Sequence, residues 1–178
     1  NEAGTVVSDS VTITVHVPIT ITQQPEQARV IEGETATFTV VASGTDPIEY
    51  EWRFNSQVIE GVSGPVLTIA NASKANEGSY QVVMKNPAGS VVSEEVKLTV
   101  VQPVVILVQP EGATKLLGQA LTLSVVASGS EPLVYQWSKD GEAIEGADGK
   151  ELAFAVLIPD NQGVYSVSIS NEAGTVVS

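Results

Sequence analysis

The stretch "TATFTVVA", residues 35–42, places Ala36, Phe38, Val40 and Ala42 on one side of an extended chain and Thr35, Thr37 and Thr39 on the other. The stretch "ALTLSVVA", residues 120–127, repeats the pattern with Leu121, Leu123, Val125 and Ala127 on the apolar side. A period of two with β-branched and aromatic residues predicts half-buried strands. Similar strands are predicted over 48–54, 67–70, 79–85 and 95–100, separated by clusters of Gly, Pro, Asn and Asp at the spacing of an antiparallel sandwich. The one helical signal is a single turn near 73–78. The predicted fold class is all-β, with sandwiches arranged end to end.

Sliding the chain against itself by 85 residues aligns Gly33 with Gly118, Trp52 with Trp137, Tyr80 with Tyr165 and Asn86 with Asn171, without a gap. Residues 17–93 and 102–178 agree at 32 of 77 positions, so they are two diverged copies of one unit. The same ruler lays residues 1–15 on 86–100, so the first sixteen residues read as the tail of an earlier copy. Residues 1–8, "NEAGTVVS", recur unchanged at 171–178, which points to an alternation of two unit types. The expected organisation is therefore the final strands of a preceding repeat over 1–16, one domain over 17–101, and a second over 102–178 that lacks its last strand.

Each unit resembles an immunoglobulin-like domain of the intermediate set. The resemblance rests on Gly33-Glu34 and Gly118-Gln119, on tryptophans Trp52 and Trp137 twelve residues after Val40 and Val125, and on the runs "NEGSYQV" (76–82) and "NQGVYSV" (161–167). It implies a core pinned by Val40, Trp52, Tyr80 and Val82 in one unit and by Val125, Trp137, Tyr165 and Val167 in the other. The valines stand where the family usually carries two bridging cysteines. It also implies a tyrosine corner, with each tyrosine hydroxyl bonded back to the preceding connection. Removing such a disulfide typically costs about 2–5 kcal/mol. Each buried valine contributes roughly 1.5–3 kcal/mol by transfer, so two of them packed on tryptophan offset much of that loss. Cysteine-free units of this kind resemble bacterial surface proteins, exported without oxidative folding, more than animal receptors.

Composition narrows the chemistry. A formal charge of -13 disfavours nucleic acid and anionic bilayers as partners, and no apolar run is long enough for membrane insertion. With no cysteine and one histidine, thiolate chemistry, cysteine metal sites and most imidazole catalysis lack their parts. The chain is not expected to be an enzyme, and no cofactor is expected. The loop holding Asp140, Glu142, Glu145 and Asp148 is the candidate for calcium, weighed against plain Asp-Gly turn chemistry. All nine aromatics fall on inward positions of predicted strands, which leaves no sugar-stacking platform.

The connections are short. His16, Val17 and Pro18 form one junction and Val101, Gln102 and Pro103 the next, with proline restricting each link. A semi-rigid rod is expected, its joints sealed by Val15, Val17, Val100 and Val101. The expected role is a structural repeat of an extracellular filament or long cell-surface protein. Its head-to-tail continuity is either covalent or by strand complementation through residues 9–15, with Asp9, Val11, Ile13 and Val15 as the continuing strand. The expected partner is itself, with a protein ligand as a further possibility. The alternative is an adhesin module that binds protein, or less readily glycan, through a loop or strand edge. A third reading is a spacer of a secreted enzyme.

Overall fold

The computed structural model describes residues 2–178. The alternating segments fold into strands, and residues 17–178 form two β-sandwiches. In the first, the strands are β1 (Thr20–Gln23), β2 (Ala28–Ile31), β3 (Ala36–Thr39), β4 (Val41–Ser43), β5 (Glu49–Phe54), β6 (Gln57–Val58), β7 (Val66–Ile69), β8 (Gly78–Asn86), β9 (Gly89–Val92) and β10 (Val96–Val101). One face of the sandwich is built from the pairs β1-β4 and β3-β7. The other runs β2-β10-β8-β5-β6, with β9 also on β8. The helical signal becomes a 3₁₀ turn at Lys74–Asn76.

Strand β10 closes this sandwich. It pairs in parallel with β2 in the register Leu98 with Ala28, Thr99 with Arg29, Val100 with Val30 and Val101 with Ile31. Its inward residues Val96, Leu98 and Val100 are buried, as is Val101. The core beneath contains Phe38, stacked on Tyr80 at 4.8 Å between ring centroids, and Trp52, fully buried in register with Val82. The indole N–H of Trp52 donates to the Gly64 carbonyl at 3.0 Å, so the ring is buried without an unpaired donor.

The second sandwich contains β11 (Val105–Val108), β12 (Leu121–Ser124), β13 (Val126–Ser128), β14 (Val134–Lys139), β15 (Glu142–Ala143), β16 (Glu151–Phe154), β17 (Tyr165–Asn171) and β18 (Gly174–Val177). Its faces are β11-β13 with β12-β16, and β15-β14-β17-β18. Val104, Leu123, Val125, Tyr135, Trp137, Val167 and Ile169 form its core. Trp137 repeats the arrangement of Trp52: it lies in register with Val167 and donates to the Gly149 carbonyl at 3.0 Å. Tyr165 makes the corner bond, its hydroxyl donating to the Asn161 carbonyl at 2.8 Å.

Residues 4–19 contain no strand. The expectation that 1–16 would show the closing strands of a preceding repeat finds no such element among the described residues. Strands need a ladder partner for their backbone groups, and this segment has no sheet beside it. Residue 1 lies outside the described residues.

One buried polar atom stands out. The Tyr135 hydroxyl has no hydrogen-bond partner, although the residue is only 6% exposed. A buried unpaired hydroxyl carries its full desolvation cost. Tyr135→Phe is therefore expected to raise the unfolding free energy of the second sandwich by about 1 kcal/mol in urea denaturation followed by tryptophan fluorescence, with the m-value unchanged.

Candidate functional site: an open groove in the second sandwich

The first sandwich carries β2, whereas residues 113–116, its counterpart in the second, form no strand; the positions that would correspond to β10 fall past Ser178. Residues 109–117 align with 24–32 on the repeat, yet they form no strand, and Leu116 and Leu117 are 75% and 72% exposed. Between this segment and the core lies a groove of about 670 Å³. Ala113, Leu116 and Leu117 line one side, and Leu121, Leu123 and Tyr165 lie among the residues lining the rest. The first-copy counterparts of those last three, Ala36, Phe38 and Tyr80, are 1%, 1% and 2% exposed. Leu123 is still buried at 6% exposure, and only Leu121 and Tyr165 are half-buried where their counterparts are buried, so each forgoes part of the roughly 1.5–3 kcal/mol that full burial is worth.

Both ends of the groove already have the geometry of the closed sandwich. At one end, the Ser178 N–H donates to the Val167 carbonyl at 3.0 Å, and Ser178 Oγ accepts from the Val167 N–H at 2.9 Å. Ser93 does the same with Val82, at 2.9 and 3.0 Å, immediately before β10. At the other end, the Leu116 N–H donates to Gln119 Oε1 and the Gly118 N–H to the Leu157 carbonyl. These repeat the bonds of Ile31 to Glu34 and of Gly33 to Ala72. Between them the whole counterpart of β2, residues 113–116, is unformed. Its ladder partner in the first sandwich is β10, and without such a partner the backbone groups of 111–115 have nothing to pair with.

A side chain anchors β10 from the corner. Glu77 Oε1 accepts the Val100 N–H at 2.9 Å, while Glu77 Oε2 pairs with Lys74 at 2.6 Å. The Lys74 ammonium and then the Val100 N–H hold the Glu77 carboxyl below its ordinary value. The counterpart in the second sandwich is Gln162, exposed and on the groove wall. Burial pushes the Tyr165 phenol up, and the nearby Asp140 carboxylate adds to the shift.

The complementary segment is present in the chain. Val11, Ile13 and Val15 align with Val96, Leu98 and Val100, and they are 90%, 86% and 78% exposed. Asp9 and His16, at either end of the segment, are exposed too.

The junction residues form a repeated clamp. The Asn86 side-chain amide donates to the carbonyls of Val17 and Thr45 at 2.9 and 3.0 Å, and Asn171 does the same to Gln102 and Ser130 at 2.8 and 2.9 Å. These asparagines were not singled out as sites, although their exact 85-residue spacing marked them. Val101 is buried, Gln102 is half-buried, and Pro18 and Pro103 are exposed. Val15 and Val17, expected to seal a joint, are exposed, because no sandwich precedes them among the described residues.

The four acids of the 140–148 loop are not brought together. Among the described residues no group of three or more His, Asp or Glu is placed to hold a metal. Asp140 and Gly141 both have positive φ, at 53° and 88°, as a tight hairpin turn requires. Asp140 Oδ1 accepts the Val164 N–H at 2.8 Å, the task Asn55 performs for Ser79 in the first copy. A neutral side chain suffices there, so turn chemistry accounts for the acid. None of the nine aromatics is exposed, and no helix is long and apolar enough to cross a membrane.

Residues 18–86 match the family model described as immunoglobulin domain. The fold is immunoglobulin-like. The chain is 26% identical over 175 residues to a peroxidasin homolog of Homo sapiens, covering 88% of this chain and 12% of that protein. It is 28% identical over 204 residues to the muscle M-line assembly protein unc-89 of Caenorhabditis elegans, covering 100% of this chain and 2% of that one. Immunoglobulin domains 1–4 of Sidekick-1 superpose with a TM-score of 0.75 at 19% identity, over 94% of this chain and 49% of theirs. The chain thus spans a small part of the curated relatives it matches. Those relatives are animal proteins, and nothing in the comparisons supports the bacterial kinship suggested by the missing cysteines.

The paired Glu77 carboxylate has a pH signature. Its pKa is lowered on folding, so its contribution is present above the unfolded value near 4.3 and is lost as pH falls through the folded value. Glu77→Gln should destabilise the first sandwich by up to about 1 kcal/mol at pH 7, with the gap to the parent closing below pH 4 in a denaturation series. A gap independent of pH would mean that the carboxylate charge is irrelevant.

Proposed function

We propose that the chain is a structural segment of a rod of immunoglobulin-like sandwiches at a cell surface or outside the cell, continued head to tail either covalently or by strand complementation through residues 9–15. The observation that carries this reading is the ungapped 85-residue repeat of one sandwich, with Trp52 and Trp137 set the same way on Val82 and Val167. Supporting it, the two sandwiches repeat each other down to the Asn86 and Asn171 clamps, and their links contain no flexible Gly/Ser linker. A matched relative is, by its name, an assembly protein. The charge of -13 keeps neighbouring rods apart. A cysteine-free core suits export without oxidative folding, as in bacterial surface proteins.

The alternative is an adhesive module that binds a protein ligand through a loop or a strand edge. The deciding experiment compares electron micrographs of native material with its chain mass under denaturing conditions. Filaments of chains near 18.6 kDa are expected for strand complementation, and filaments of far larger chains for covalent arrays. Small discrete particles would contradict the rod and favour adhesion.

A further inference from the structure

We infer that the exposed face of strand β11 is a lateral contact surface for a second copy of this chain. The equivalent strand of the first sandwich, β1, reads Thr-Ile-Thr-Gln over Thr20–Gln23, whereas β11 reads Val-Ile-Leu-Val over Val105–Val108. In both strands the second residue is the half-buried one, Ile21 opposite Ala42 and Ile106 opposite Ala127. Alternation calls for polar residues at the exposed positions, and β1 has them. The second sandwich instead puts Val105, Leu107 and Val108 there, 53%, 61% and 53% exposed, beside Val126 at 48%. Core packing does not require them, since the first sandwich folds with threonine and glutamine at the same places. That first edge is exposed with its closing strand β10 in place, so the openness of β11 belongs to this edge of the fold itself.

Two features say how the surface makes contact. The register shifts between Ile106 and Val108, as at a bulge, and Pro103 and Pro110 bracket the strand. Both devices disfavour the addition of a further backbone strand, so the contact is made by side chains. From Val101 to Pro110 no residue is charged, in a chain whose formal charge is -13. Two copies meeting through an acidic surface bring like charges together, whereas this face adds none.

The size of the patch selects the partner. Four half-exposed aliphatic side chains offer on the order of 300 Å², the low end of the largest patch on an ordinary monomer and well short of the roughly 800 Å² per partner of a stable lone interface. A partner with one matching patch is held weakly, and a partner that carries the patch repeatedly is held by several at once. A second rod of the kind proposed above is such a partner, because the alternation of unit types repeats the patch at the same spacing on both. That multiplication rests on the rod reading, and the pairing of two chains in solution does not. The contact is isologous, Leu107 of each copy packing on Val105, Val108 and Val126 of the other.

Sedimentation equilibrium of the full chain, from about 10 μM to about 1 mM, reads the association. The average mass is expected to rise above 18.6 kDa with concentration. The rise should be steeper at about 0.5 M than at about 0.05 M salt, because screening lowers the repulsion between acidic chains and leaves the apolar contact in place. A variant with Val105→Thr, Leu107→Thr and Val108→Gln takes the residues that the first sandwich carries, so it is expected to fold, which its tryptophan fluorescence checks. Its association constant should fall by at least about tenfold. Amide NMR shifts that move with concentration should fall on 104–109 and 125–128. A parent chain that stays at the single-chain mass, a variant that associates like the parent, association that weakens as salt is added, or moving shifts confined to other segments would each overturn the inference. Association through β11 without filaments in the micrographs would sink the rod and spare the contact. Filaments together with any of the overturning results would sink the contact and spare the rod.

Discussion

A sandwich of this kind depends on its last strand. In the first copy β10 lies between β2 and β8 in one sheet, giving backbone bonds to a parallel neighbour and hydrophobic side chains to the core between the faces. Without such a strand, the same fold leaves a row of unpaired backbone groups above an apolar trough. The contrast between β2 and residues 113–116 shows the dependence directly. The flanking turn forms in both copies, through the same Gln119 and Glu34 bonds, yet the strand forms only where a partner lies beside it.

The centre of each sandwich manages without a disulfide. Val82 and Val167 are fully buried, each in register with a fully buried tryptophan whose N–H is satisfied by a carbonyl twelve residues on. That arrangement replaces a covalent link by packing. The core tolerates the diverged surroundings of the two copies, Phe38 in one and Leu123 in the other, because both fill the same inward site. The distinction between the copies therefore lies at the closing edge and not in the pin.

Much of this was legible in the sequence because period-two alternation and an ungapped repeat are local, additive signals. Strands fell within a residue or two of the expected spans, and the 3₁₀ turn at Lys74–Asn76 fell inside its expected window. The exposed state of Val11, Ile13 and Val15 follows from their alignment with β10, once a partner sheet is absent. The loss of the A-side strand was less visible. Its counterpart positions 113–116, Ala-Thr-Lys-Leu, lack the β-branched Val30 and Ile31 of the first copy, a difference too small to exclude a strand by sequence. The acid-rich turn misled for a different reason: Asp140 is charged, but its geometric task is one that Asn55 performs neutrally. Gln162 was unremarked because its importance comes only from what Glu77 does for Val100.

The central claim is that the A-side strand of each sandwich forms only when a closing strand lies beside it, and amide hydrogen exchange tests it most directly. The account predicts that Ala28–Ile31 are protected under all conditions, and that residues 113–117 exchange freely in dilute single chains but become protected once a closing strand lies beside them. Protection of 113–117 in isolated chains, or continued free exchange with a closing strand beside them, would contradict it.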